Sequence, residues 1–269
     1  LLDPHTPYNA PPGHGNPRPR TPERPGRALR PPTNAPPASE AERAAGVRAV
    51  LADRDAYDAE VRYVDASVGR LLDALAERGR LNNAVVLVTS DHGEEFLEHG
   101  SRYHGTQLYD ESLQVPLLLA GFGEQTLPRI RSDAPATLRD VLPSLLALCG
   151  LDGEDRLSTS LLEPRPTDSP QFAVTTRALT GRAQSTDAWS VVSWPYKLIE
   201  RGEQPAELYD LSRDLHELSD LAEHQPAVVA ALAQRLRAWR ASTAASGAAA
   251  PAADDDTRQW LEQLGYVDK

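Results

Sequence analysis

Cysteine, methionine and positive charge are what this chain has least of. A lone cysteine, Cys149, allows no internal disulfide, so the fold must be held by its core, and cysteine usage does not report a redox compartment. No apolar run reaches the roughly 18 residues that a membrane-spanning helix needs. Lys and Arg number 28 against 39 Asp and Glu, a formal net charge of −11. A nucleic-acid partner wants a basic surface and is not expected. Small anionic substrates stay open, because local charge and metal bind those. Methionine is absent, and the chain opens on Leu1 inside the stretch LLDPHTPY. The expectation is that a preceding part of the protein is missing, together with any targeting segment. Periplasmic, extracellular and cytoplasmic locations are therefore not distinguished.

What is present divides by composition. Residues 1–37 hold 12 of the 23 prolines, and five arginines lie between Arg18 and Arg30. Proline fixes φ and removes backbone donors, so this stretch reads as loop, either a solvated one or a basic flap over an anion-binding cleft. From Ser39 the chain turns to Ala, Glu and Arg. Tyr57, Val61, Val64, Val68, Leu71 and Leu75 then recur at steps of three and four. That spacing predicts a long amphipathic helix, opened by a Ser39/Glu42 capping box and stopped near Gly79. Ala84–Val88 and Val115–Ala120 are short apolar runs that read as buried parallel strands. Thr137–Leu148 reads as a helix started or kinked near Pro143 and closed by Gly150. Past Arg156, the runs 174–177, 190–193, 197–200 and 207–211 alternate and suggest a small antiparallel sheet. Val228, Leu232, Leu236 and Trp239 mark one face of a further helix, and 244–256 reads as linker.

The residues able to do chemistry crowd between the two apolar runs, in VVLVTSDHGEEFLEHGSRYHGTQLYDESLQVP. Asp91 and His92 stand together where a strand ends, which is where open α/β sheets place their chemistry. A carboxylate and an imidazole can complete a divalent-cation site if the chain turns there, and Gly93 permits a turn. The plainer alternative is a helix start with Asp91 as its cap, and Glu94 and Glu95 would suit such a first turn. His99 is either an active-site group or a loop residue donating to a carbonyl. Asp110 and Glu111 read as fixing loop geometry, Asp65 as a structural hydrogen-bonder and His14 as loop. His5 lies between Pro4 and Pro7, which stiffen the backbone around it.

The pattern SDHGE…EHG…HG…LYDE…VP resembles the sulfatase family of the alkaline-phosphatase-like superfamily. PHTPY, YDAEVRYVDASVGRLLDAL, YKLI and LYDLSRD are similar to further family segments, as is the terminal WLEQLGYV. The resemblance implies that Asp91 and His92 ligate one metal with two acidic residues from the missing half. It places His104 on the sulfate or phosphate group and His5 over the anion, where it can protonate the leaving oxygen. It also implies a formylglycine nucleophile made from a [CS]-x-P-x-R motif. Cys149 fails that motif, and Ser193-Trp194-Pro195-Tyr196-Lys197 is a near miss with lysine for arginine. An imidazole ligand points to Mn²⁺ or Zn²⁺, whereas the resemblance points to Ca²⁺.

The expected fold is α/β: part of a mixed or parallel sheet flanked by helices over 1–155, with 1–38 the Pro/Arg-rich loop. A small antiparallel subdomain with a packing helix follows over 156–243, then linker and terminal helix-turn over 244–269. The expected function is metal-dependent hydrolysis of a small anionic sulfate ester, of a sugar, aryl or lipid type. The chain alone is expected to be inactive for want of the nucleophile half. A phosphoester or phosphonate hydrolase or phosphotransferase on the same scaffold is the alternative, and a non-catalytic truncated chain is another.

Overall fold

The computed structural model describes Pro4, Tyr8, 10–14, 40–124, 127, 135–151, 160–163, 166, 168–175 and 187–245. His5, Ser39, the Glu42 side chain and the terminal segment from 246 onward fall outside these residues.

The periodic Ala/Glu/Arg stretch forms α1, Glu40–Glu77. Gly79 ends it at φ +67°, where the Gly79 and Arg80 N–H groups cap the Ala76 and Leu75 carbonyls at 2.9 and 2.8 Å. The helix packs at Val50 and Tyr57, which meet Phe96, Leu97 and Tyr8 in a small apolar cluster. Val61 and Leu71 lie on the expected apolar face yet are exposed.

Strands β1, Asn83–Thr89, and β4, Leu117–Gly123, pair with each other antiparallel, with Val86 opposite Ala120. This corrects the expectation of two buried parallel strands. Both are only partly covered, and the facing pair Val88 and Leu118 is exposed. A continuous apolar run is legible as a strand but carries no information on the direction of its neighbour. Between them lie two-residue strands β2, Glu95–Phe96, and β3, Arg102–Tyr103, and a single helical turn α2, Asp110–Leu113. Glu94 and Glu95 therefore do not begin a helix. Arg102 holds β3 to α1 through an ion pair with Asp53.

Helix α3, Val141–Leu148, is preceded by one 3₁₀ turn that Thr137 and Asp140 close as a capping box. Pro143 sits in its first turn, where a missing N–H is harmless. The C-terminal part is an antiparallel meander: β5 Gln171–Thr175, β6 Ala188–Ser193, β7 Tyr196–Arg201 and β8 Glu207–Asp210, paired in that order. Helix α4, Pro226–Ala245, covers one face, burying Leu232 and Leu236 against Val191, Leu198 and Leu208. The Phe172 and Trp239 rings stack at 4.9 Å. On the opposite face, Ala188, Ile199 and Tyr209 close over Leu108 and Tyr109. Period two separates these sets on every strand. The α/β class and the small antiparallel unit with its packing helix are as expected.

Candidate active site

The turn after β1 is made by close approach. Gly93 donates its N–H to the Ser112 carbonyl at 2.9 Å, and a Cβ on it would overlap the Glu111 carbonyl. Glycine is required here by the backbone of α2, not by a positive φ. Pressing 91–93 against α2 fixes where Asp91 and His92 project.

His92 Nδ1 lies 2.8 Å from the Gly93 carbonyl. A carbonyl only accepts, so Nδ1 carries the proton and, in the neutral ring, Nε2 keeps its lone pair. That Nε2 faces Asp91 Oδ2 at 3.7 Å. Two electron-rich atoms facing one another at this separation suit a cation held between them, and a hard oxygen with an imidazole nitrogen is a fitting donor pair for Ca²⁺, Mn²⁺ or Zn²⁺. The two residues fit a metal as part of its shell. Among the described residues no group of three His, Cys, Asp or Glu could hold one without further ligands.

His104 stacks on His92, ring centroids 3.9 Å apart. Its Nδ1 is 3.2 Å from Glu94 Oε1, and Tyr8 donates its hydroxyl to Glu94 Oε2 at 2.8 Å. Burial, then the Glu94 hydrogen bond, hold the Tyr8 phenol above its ordinary pKa. The structure thus brings Asp91, His92 and His104 together, with Glu94 as the link that sequence reasoning misassigned to a helix start. His5 lies outside the described residues, but Tyr8 of the same PHTPY segment reaches this cluster.

His99 sits elsewhere. It is buried, stacked on Tyr109 at 3.6 Å, with Nδ1 2.5 Å from Glu111 Oε1 and Nε2 3.0 Å from the Glu217 carbonyl. Both nitrogens face acceptors. Burial opposes a charge on this ring, but the Glu111 hydrogen bond and charge outweigh it, and its pKa is raised. Glu217, at φ +53°, turns its carboxylate the other way, onto Lys197 Nζ at 2.7 Å and the Asp110 N–H at 2.6 Å. Lys197, fully buried in β7, also meets Asp110 Oδ1 at 2.6 Å. His99, Asp110 and Glu111 therefore fasten the loop to the C-terminal sheet, and the donation from His99 to a carbonyl is as expected. Lys197 and Glu217 carried no signal in the sequence beyond their place in YKLI and DLHEL.

Residues 1–151 match the family described as Sulfatase. The chain belongs to the sulfatase family. Arylsulfatase K of Danio rerio is 30% identical over 190 residues, 67% of this chain and 36% of that protein. A sulfatase of Formosa agariphila is 29% identical over 167 residues, 60% of this chain and 31% of that protein. The chain thus spans about a third of the length of these relatives. Among solved structures, a protein in complex with its substrate D-glucosamine-2-N,6-O-disulfate aligns at TM-score 0.62 and 22% identity, covering 76% of this chain and 42% of that one. The phosphonate monoester hydrolase of Agrobacterium radiobacter aligns at 0.57 and 23%, covering 72% and 42%. At these identities the structures establish the sulfatase-like α/β fold.

Proposed function

We propose that this chain carries part of the active site of a metal-dependent sulfate ester hydrolase. The supporting observation is that Asp91, His92 and His104 converge at the end of β1, with the Asp91 and His92 donor atoms 3.7 Å apart and the His92 and His104 rings stacked. Asp91 and His92 would hold a divalent cation, Ca²⁺ on the family resemblance and Mn²⁺ or Zn²⁺ on the imidazole donor. When bound, that cation supplies positive charge for an anionic oxygen and a nucleophile. Glu94 accepts from His104 Nδ1 and so orients the ring. His104 would then offset charge on the ester's anionic group as it grows in the transition state. His5, from the same short motif as Tyr8, would protonate the leaving oxygen. A formylglycine nucleophile belongs to this reading as a family expectation, and no [CS]-x-P-x-R motif stands in these 269 residues. Turnover is accordingly proposed for the complete protein. The substrate is a small sulfated sugar, aryl or lipid ester.

A second reading, phosphonate or phosphate monoester hydrolysis, is favoured by the phosphonate hydrolase that shares the fold. The test is a leaving-group series of aryl sulfates and aryl phosphates on the full-length protein. His104→Ala should lower turnover by about 10²-fold. His5→Ala should harm poor leaving groups most, since an activated phenolate needs little protonation. Wild-type rates higher on phosphates than on sulfates would replace the sulfatase reading with its alternative. Variants equal to wild type would refute both residue roles.

A further inference from the structure

The face of the C-terminal sheet turned away from α4 is polar at its strand ends, and four of its polar side chains each have a bond to one segment, 105–110. Thr175 at the end of β5 donates its hydroxyl to the Gly105 carbonyl at 2.6 Å. Arg201 donates to the Gln107 side chain. Tyr109 donates to Glu207 Oε2 at 2.6 Å, and Lys197 reaches Asp110 Oδ1 at 2.6 Å. This is a row of attachments that starts at the residue following His104 and runs down the loop. Leu108 and Tyr109 bury themselves in the same face between them.

We propose that Thr175 is a positioning residue for His104. His104 is followed by Gly105 at φ +83°, a residue without a Cβ whose backbone has no steric restraint of its own. Unfastened, the chain could pivot at this glycine, and the loop bearing the imidazole would move with it. The Thr175 hydroxyl holds the Gly105–Thr106 peptide by its oxygen, so the far side of that pivot is fixed one residue beyond His104. Thr175 is itself well fixed: it is buried, paired with the fully buried Ala188, and β-branched, hence stiff at χ1. Its polarity is the second observation. A hydroxyl on a buried sheet face is destabilising unless bonded, and valine would fill the same volume. The hydroxyl is therefore explained by the Gly105 carbonyl it meets. Glu94 restrains the His104 ring directly, and Thr175 restrains the backbone of the glycine that follows it.

The inference rests on His104 acting as the anion contact, so the test pairs kinetics with a readout independent of turnover. In the full-length protein, Thr175→Val removes the hydroxyl at constant shape. It should lower kcat on an aryl sulfate about 10-fold or more, since small misplacements of a transition-state contact are expensive, with KM changed less than about twofold. Thr175→Ser should restore kcat. In parallel, ¹³C-histidine labelling gives imidazole signals for every histidine, seven of them within these 269 residues, and His104→Ala identifies that of His104. This signal should shift or broaden in Thr175→Val and return in Thr175→Ser. Should the valine variant not fold, Thr175→Ala drops the same hydroxyl and must show the same pattern. A folded hydroxyl-free variant with an unmoved His104 signal overturns the proposal, as does a serine variant as impaired as valine. If the signal behaves as expected while wild type hydrolyses no ester, the proposed reaction fails and the positioning role stands.

Discussion

Replacing Lys197 by Met should expose how strongly the C-terminal sheet holds the loop. Lys197 Nζ touches the Glu217 carboxylate at 2.7 Å and Asp110 at 2.6 Å, and both Lys197 and Glu217 are fully buried. Methionine keeps the stem's volume and removes the charge. What remains is a buried carboxylate whose cation has gone, and breaking such a pair from one side typically destabilises by about 3–5 kcal/mol. For a chain of this size each kcal/mol is worth roughly 2–4 °C, so the midpoint should fall by about 10 °C. The loss should also depend on pH with a defined sign. Burial, partly offset by Lys197, already holds the Glu217 pKa above its ordinary value. A carboxyl raised in the folded state contributes most when protonated and loses that contribution as pH rises through its folded pKa. Without Lys197 the pKa rises further, so the deficit is largest near pH 8 and shrinks toward pH 5. Lys197→Met combined with Glu217→Gln, which keeps the acceptor for the Asp110 N–H, should recover much of the high-pH loss. Urea denaturation of the three proteins across this range checks it. A deficit that is constant with pH, or one that the Gln change deepens, refutes the reasoning.

Asp91→Ala should sharply reduce bound divalent metal in the full-length protein, and elemental analysis showing unchanged content would count against the ligand assignment. Gly93→Ala should destabilise by roughly 1–3 kcal/mol because its methyl overlaps the Glu111 carbonyl; thermal melting measures the loss, and a neutral change would mean that the turn and α2 are not pressed together. Burial pushes Glu95 up to about 7, against hydrogen bonds from Ser101 and His99 and with a further push from Glu111. Its contribution to stability is therefore full below its ordinary value and lost as pH rises through about 7. Glu95→Gln should gain on wild type between pH 5 and 8 in the same melting assay, and equal slopes would contradict this.

The parts of this fold that were legible in the sequence are those where one local rule decides. The alternation of 190–193, 197–200 and 207–211 marks which side chains meet α4, and the spacing of Val228, Leu232, Leu236 and Trp239 marks the matching face. The Asp91–His92 pair was legible because an apolar run ends just before it. The antiparallel pairing of β1 with β4 was not, because hydrophobicity along a strand does not encode its neighbour's direction. Glu94 was misread for a related reason. Two carboxylates after a turn favour a helix dipole, but here Glu94 has Tyr8 and His104 as partners, 86 and 10 residues away, and those tertiary bonds outweigh a propensity worth a few tenths of a kcal/mol.

Lys197 shows most plainly what a single sequence hides. A lysine on an alternating strand ordinarily faces solvent. Lys197 is instead fully buried, because neither side of the sheet is open where it lies. One side is covered by α4 and the other by the loop that carries His104. A covered polar face needs its groups bonded, and Thr175, Lys197, Arg201 and Glu207 each have a partner within 105–110, beside the Lys197–Glu217 and Arg201–Glu207 pairs. Much of what satisfies the sheet therefore also holds the loop. A loop carrying chemistry gains rigidity this way without forming regular structure of its own. The C-terminal sheet therefore bears on the candidate active site while supplying none of the residues placed in contact with the ester.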